Sequence, residues 1–187
     1  AKLGNEQRAL LSAAAVCGVE FRVGTVSDAL ERDAAWGGQT CDELVREQLW
    51  LSAPRTEQGR DGPELPYSFR HALFRQVLYQ RTARLARVQL HRRVGAALER
   101  ERAAGVPVTA AQLAMHFEHG HEPMTALRYY VEAAEAALLH LSPAEGMSLT
   151  EHGLTLLDQT PEDTGRNALE IALATLRGVS VTHLLGI

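Results

Sequence analysis

A chain of 187 residues is long enough for one large domain or two small ones, each with a true apolar core. Hydrophobic residues make up 45% of it and aromatics only 5%, so alanine and leucine do most of the filling, which favours helices and excludes a large sheet. No apolar run approaches the roughly 18 residues that cross a bilayer, and Ala1-Lys2-Leu3-Gly4 lacks the form of a signal peptide, so a cytoplasmic location without a membrane partner is expected.

The net charge of −4 is unevenly spread. Residues 1–53 carry 5 basic and 8 acidic side chains, residues 54–104 carry 11 and 5, and residues 105–187 carry 3 and 10. A basic middle between two acidic ends suits protein surfaces or a nucleotide better than duplex DNA. Cys17 and Cys41 sit among apolar residues of predicted helices and read as small buried hydrophobes, not as a disulfide or a metal pair.

In chain order, the first predicted helix spans Asn5–Cys17, capped by Asn5 and ended by Gly18. A short second helix is expected at Val26–Glu31. Thr40-Cys41-Asp42-Glu43 has the form of a capping box and predicts a third helix continuing to Leu49. Leu49-Trp50-Leu51 and Tyr67-Ser68-Phe69 then alternate as two short strands that could pair, with a polar loop from Pro54 to Pro66 between them. A fourth helix follows at about Arg70–Ala83, with Leu73, Val77 and Leu78 expected inward, and a fifth at about Leu85–Ala103. Three short helices, a hairpin and a further helix are the element order of a winged helix.

Beyond the break at Ala104-Gly105-Val106-Pro107 the pattern is helix, turn, helix. Helices are predicted at Thr109–Glu118, at Met124–Leu141, from a capping box with Pro143 at Ser142-Pro143-Ala144-Glu145, and at Thr164–Leu176. Pairs of roughly 32–34 residues have the size of a tetratricopeptide-type unit, and Ala144 fits a small position at a close helix approach. The expected fold is therefore mainly α: a winged-helix domain over 1–84, with a three-helix core and a small β-hairpin wing, followed over 85–187 by antiparallel TPR-like hairpins.

The stretch from Tyr67 to Glu99, YSFRHALFRQVLYQRTARLARVQLHRRVGAALE, resembles the segment that follows the nucleotide-binding domain in bacterial signal-transduction ATPases of the STAND class, such as LuxR-type and SARP-type transcriptional activators. The resemblance extends through AAQLAMHFEHGHEPMTALRYYVEAAEAA at 110–137 and back to QRALLSAAAVCGVEF at 7–21. It implies a non-catalytic regulatory module that couples the ATP or ADP state of an upstream nucleotide-binding domain to a repeat array, which senses a protein or small-molecule inducer. No GxxxxGK[ST] loop occurs in this chain, so no cofactor and no catalytic residue are expected within it.

In related apoptosis and plant-immunity ATPases, a Met-His-Asp motif at the start of a helix places a histidine on the β-phosphate of ADP. Phe69-Arg70-His71-Ala72-Leu73 is similar in position, and His71 would match that histidine while Ala72 departs from the Asp. A helix start and an imidazole both favour an anion; the other reading of His71 is a partly buried ring bonded to a backbone carbonyl. Arg70, Arg75, Arg84, Arg87, Arg92 and Arg93 form a basic ridge read either as an interdomain or partner surface or as a solvated face.

His116, His119 and His121 in HFEHGH are a weak metal candidate, since a helix end accounts for cationic residues. The predicted third helix carries Asp42, Glu43 and Glu47 against Arg46, which is poor for a phosphate-lined groove, so direct DNA contact is not expected. The alternative to the regulatory module is a stand-alone helical scaffold or adaptor; a winged-helix DNA-binding module ranks below it.

Overall fold

A computed structural model describes residues 3–53, 66–161 and 164–186. The protein is mainly α, with 75% of it helical and 4% in strands. Two compact units divide at Val106 and Pro107.

The first unit opens with α1 (Asn5–Cys17), followed by β1 (Glu20–Phe21), α2 (Val23–Ala29) and α3 (Ala34–Arg46), then β2 (Leu51–Ser52), β3 (Tyr67–Phe69), α4 (Ala72–Arg81) and α5 (Arg84–Ala103). The three strands form one antiparallel sheet in the order β1-β3-β2. Leu51 pairs with Phe69 and Ser52 with Ser68, so the two segments do pair, but the first strand lies at 51–52 and shares only Leu51 with the expected Leu49-Trp50-Leu51. On the other edge of β3, Glu20 pairs with Ser68 and Phe21 with Tyr67. The polar loop expected between these strands lies, apart from Pro66, outside the described residues.

One apolar core holds these elements. Leu10, Leu11 and Ala14 of α1 are fully buried and meet Phe21, Val26, Leu44, Leu51, Phe69 and Leu78. The Phe21 ring lies 5.9 Å from Phe69 and 6.2 Å from Tyr67, which fixes the small sheet to the core. Complete burial of a single leucine of this kind contributes about 2 kcal/mol.

Several sequence expectations shift here. The N-cap of α1 is Gly4, whose N–H donates to Gln7 Oε1 at 3.1 Å, so Asn5 is the first helical residue and not the cap. The third helix starts six residues before Thr40: Asp33 caps it by accepting from the Trp36 N–H at 2.7 Å, and Thr40 lies mid-helix, donating to the Trp36 carbonyl at 2.9 Å. Asp33 competes successfully because Gly37 lets α3 lie directly on α2, where a Cβ would overlap Ser27 Oγ and come within 2.9 Å of Val23 Cγ1. On α4, Leu73 and Val77 are not inward; they are 63% and 40% exposed, while Phe74 and Leu78 face the core.

The boundary expected at 84/85 moves to 106/107, because α5 packs on α2 and α1. Val94, Ala97 and Leu98 of α5 are buried. Three ion pairs join it to α2 and its flanks: Glu101–Arg22 at 3.2 Å, Arg100–Asp28 at 2.8 Å and Arg93–Glu31 at 3.6 Å. Thr25 Oγ1 also donates to Glu101. Exposed pairs are worth about 1 kcal/mol at most, so the buried stripe supplies most of the adhesion and the pairs fix its register.

The second unit contains α6 (Ala110–His119), α7 (Pro123–Leu139), α8 (Pro143–Leu157) and α9 (Thr164–Leu185). Each packs on the next, and α9 also touches α7. Thr109 and Gln112 form a reciprocal cap at the start of α6. The first two turns are alike: His121 and Leu141 adopt left-handed backbone (φ 57° and 56°), the next N–H returns to Phe117 O or Ala137 O, and a proline opens the following helix. The left-handed position of the first turn is His121, while Gly120 keeps a helical backbone (φ −76°). Ser142 precedes Pro143 but makes no side-chain cap, since its backbone serves the closure of α7.

The close approaches to α8 fall at glycines. A Cβ on Gly153 would stand 3.0 Å from both Leu173 methyls of α9, and one on Gly146 would stand 2.9 Å from Ser180 Oγ. The last helix runs nine residues past the predicted Leu176. Gly165–Leu185 is long and apolar enough by length and composition to cross a membrane (mean hydropathy 1.3), which corrects the expectation that no segment reaches that mark. Arg166, Glu170 and Arg177, with Thr, Ser and Gly residues, interrupt its apolar runs, so counting consecutive apolar residues does not register it. Leu173 and Ser180 are its fully buried positions.

Candidate functional site

The residues singled out by sequence gather where β3 hands over to α4 and where α4 turns into α5. The Arg70 N–H donates to the Trp50 carbonyl at 3.1 Å, which holds the chain in the sheet up to this point. His71 then takes extended backbone (φ −139°, ψ 133°) and stands as the N-cap of α4. Its side chain makes no capping bond, is exposed, and leans edge-on against Phe74 with ring centroids 5.3 Å apart. The partly buried, carbonyl-bonded histidine of the second reading is therefore not what forms. What stands instead is an exposed imidazole beside a helix start whose first N–H groups have no side-chain partner, an arrangement that can accept an anion.

The arginine ridge divides into groups with different tasks. Arg75 turns inward: its Nε donates to the Ala15 carbonyl at 3.0 Å, closing the C-terminal turn of α1. Arg75 and Arg87 both lie over the Tyr79 ring, at 5.8 and 4.9 Å from its centroid. Tyr79 Oη is in turn 3.0 Å from Nε2 of the buried His91. This cluster ties α4 to α5 and α1. Arg93 pairs with Glu31 at 3.6 Å, and Arg92 is exposed but engaged within the fold.

Arg70 and Arg84, together with Arg81, have exposed side chains with no ion pair or hydrogen bond among the described residues. Of the six ridge arginines, Arg70 and Arg84 are thus the two without such a partner among the described residues. Arg81, which the sequence reading did not single out, belongs with them. Glu101 and His91 were missed too. The signal for Glu101 lay in charge, since it is one of few acids in the basic stretch.

The HFEHGH segment is dispersed. His116 is buried within the second unit, and His121 occupies the left-handed turn position. Among the described residues no three His, Cys, Asp or Glu side chains stand together as a metal-holding group. Glu118 of the same segment instead joins three helices: it accepts from Tyr130 Oη at 2.6 Å and lies 2.9 Å from His152 Nε2. Burial, and then this carboxylate, push the Tyr130 phenol well above the usual tyrosine range.

Comparison with known proteins adds one relative. An uncharacterized protein of Rhizobium meliloti (strain 1021) is 26% identical over 121 residues. The match covers 65% of this chain and 12% of the relative, so the chain spans only a small part of that protein's length. No family model matches the chain, and no solved structure matches it.

Proposed function

We propose that this chain is a non-catalytic regulatory module of a STAND-class ATPase, in which a winged helix (the first unit) couples the nucleotide state of an upstream domain to TPR-like helical hairpins (the second unit). The observation that carries the reading is the order helix, strand, helix, helix, strand, strand, with β3 central between β1 and β2 and an exposed histidine at the junction that follows. A three-stranded sheet of that order beside a three-helix core supports the winged-helix reading. The two like turns of the second unit, each with a left-handed residue two positions before a helix-opening proline, support reading α6–α9 as repeated hairpins. The relative's length agrees with a multidomain parent: 121 matched residues that make up 12% of a chain place it at about a thousand residues.

In this reading His71 contacts the β-phosphate of ADP held by the upstream domain, and the module leaves that domain when ATP or an inducer binds. Each ligand then prefers one arrangement, which is what a population shift requires. The test is ADP retention in the parent protein. His71→Ala is expected to release ADP about tenfold faster, the equivalent of roughly 1.4 kcal/mol for one lost charge-assisted contact. Unchanged release would remove His71 from the mechanism, and a parent without a phosphate-binding loop would end the coupling reading altogether.

A further inference from the structure

We propose that the outward face of α4 is a docking surface for another protein whose own surface has an apolar centre and an acidic rim. Leu73 and Val77 stand one turn apart on the solvent side of the helix, 63% and 40% exposed, although the same helix buries Leu78 and Phe74 on its other side. Arg81, one further turn along, continues their line, since residues four apart share a face. Arg70 precedes the helix and Arg84 opens the next one, so two further exposed arginines flank the apolar pair along the chain.

Three features select the partner's chemistry. Arg70, Arg81 and Arg84 have no acid or hydrogen-bond acceptor among the described residues, and Glu101, an acid of the same basic stretch, is held by Arg22 and Thr25. An unneutralised cationic rim is complementary to carboxylates. An apolar centre with an arginine-rich rim is the anatomy of a protein interface. Duplex DNA offers nothing to Leu73 and Val77, because affinity there rests on phosphate contacts. A bilayer surface wants a long apolar face, whereas α4 has ten residues and its other side belongs to the core.

This surface is defined without any nucleotide, so its test and the ADP test of His71 fail separately. The probe is a fluorescein-labelled helical peptide with leucines at four-residue spacing flanked by glutamates, titrated against the whole chain by anisotropy. A second probe replaces each glutamate with lysine. The wild-type chain is expected to bind the acidic peptide at least tenfold more tightly than the basic one, with the difference shrinking as salt is raised and the Debye length falls below about 8 Å. Arg81→Glu with Arg84→Glu is expected to reverse the preference, and Leu73→Ser with Val77→Ser to abolish binding of both peptides. All four positions are exposed, and unchanged far-ultraviolet dichroism establishes that the variants fold. No binding, equal binding of both peptides, or selective binding of duplex DNA or phosphatidylserine vesicles lost on the same substitutions would overturn the proposal. So would a concentration-dependent dimer broken by them, which would give the face to a second copy of the chain.

Discussion

Gly37 and Gly38 are adjacent in the second turn of α3 and share the same helix-propensity term, yet they face opposite surroundings. Replacing a mid-helix glycine by alanine removes backbone freedom from the unfolded chain and stabilises by about 1 kcal/mol. At Gly38 a Cβ meets nothing within 4 Å, so Gly38→Ala is predicted to realise most of that gain. At Gly37 the same Cβ overlaps Ser27 Oγ and stands 2.9 Å from Val23 Cγ1, so α2 must shift or Ser27 must leave its rotamer, at about 1–3 kcal/mol. The difference between the two variants, in which propensity cancels, is therefore predicted to be about 1–3 kcal/mol in favour of Gly38→Ala.

Urea unfolding followed by tryptophan fluorescence suits this comparison. Trp36 and Trp50, the two tryptophans of the chain, lie in the first unit, and the signal reports that unit without assuming that both units melt together. Ser27 sharpens the test. Its hydroxyl is buried without a hydrogen-bond partner in the described structure, so Ser27→Ala alone is expected to be close to neutral, and combined with Gly37→Ala it should recover at least half of the loss. If Gly37→Ala proved as stabilising as Gly38→Ala, α2 and α3 would not be in the contact described, and the account of why α3 starts at Asp33 would fail with it.

Two further predictions concern buried chemistry. Glu101→Gln should lower the stability of the first unit by about 1–2 kcal/mol, because Arg22 loses its partner in a half-buried site, and tryptophan-detected unfolding would register it. Both thiols are pushed up to about 12, chiefly by burial, with Glu101 adding to the effect on Cys17 and Asp42 on Cys41. The folded protein therefore holds these protons more tightly than the unfolded chain. Their contribution is fully present below the ordinary thiol value of 9.0 and is lost as pH rises from there towards 12. Native protein at pH 8 should react with a disulfide reagent far more slowly than urea-unfolded protein, and equal rates would contradict the burial.

How much of this was legible depended on whether one signal or two competed at each point. The C-terminal end of α1 was readable because Gly18 takes φ 151°, a conformation that side chains disfavour, whereas its cap fell one residue before the expected Asn5. For α3, the Thr40-x-x-Glu43 pattern drew the expected start too late; the cap that forms is Asp33, and the fit of Gly37 against α2 that accompanies it is a tertiary contact absent from local pattern. On α4, Leu73 with Val77 and Phe74 with Leu78 are two apolar stripes offset by one residue, and periodicity gives no reason to bury either. The bond from Arg75 to Ala15 O, together with the extended tether at His71, sets the rotation of the helix. Strand β1, with two residues, exists only because β3 offers it an edge. Its pairing was out of reach of sequence pattern.

The site followed the same rule. His71 was singled out by a family resemblance, and its exposure and lack of a side-chain hydrogen bond emerged only with the backbone around it. A run of arginines could not by itself say which were committed inward. Arg75 and Arg87 are fixed by Tyr79, and that ring became visible as a shared partner only once α4 and α5 were packed together.

The regulatory reading stands or falls most directly on a pull-down of the 187-residue chain with the nucleotide-binding domain proposed to act upstream of it, carried out with ADP and with ATP. The account predicts firm capture with ADP, at least tenfold weaker capture with ATP, and loss of the ADP-dependent excess in His71→Ala. Capture that is equal with both nucleotides, or no capture with either, would contradict it.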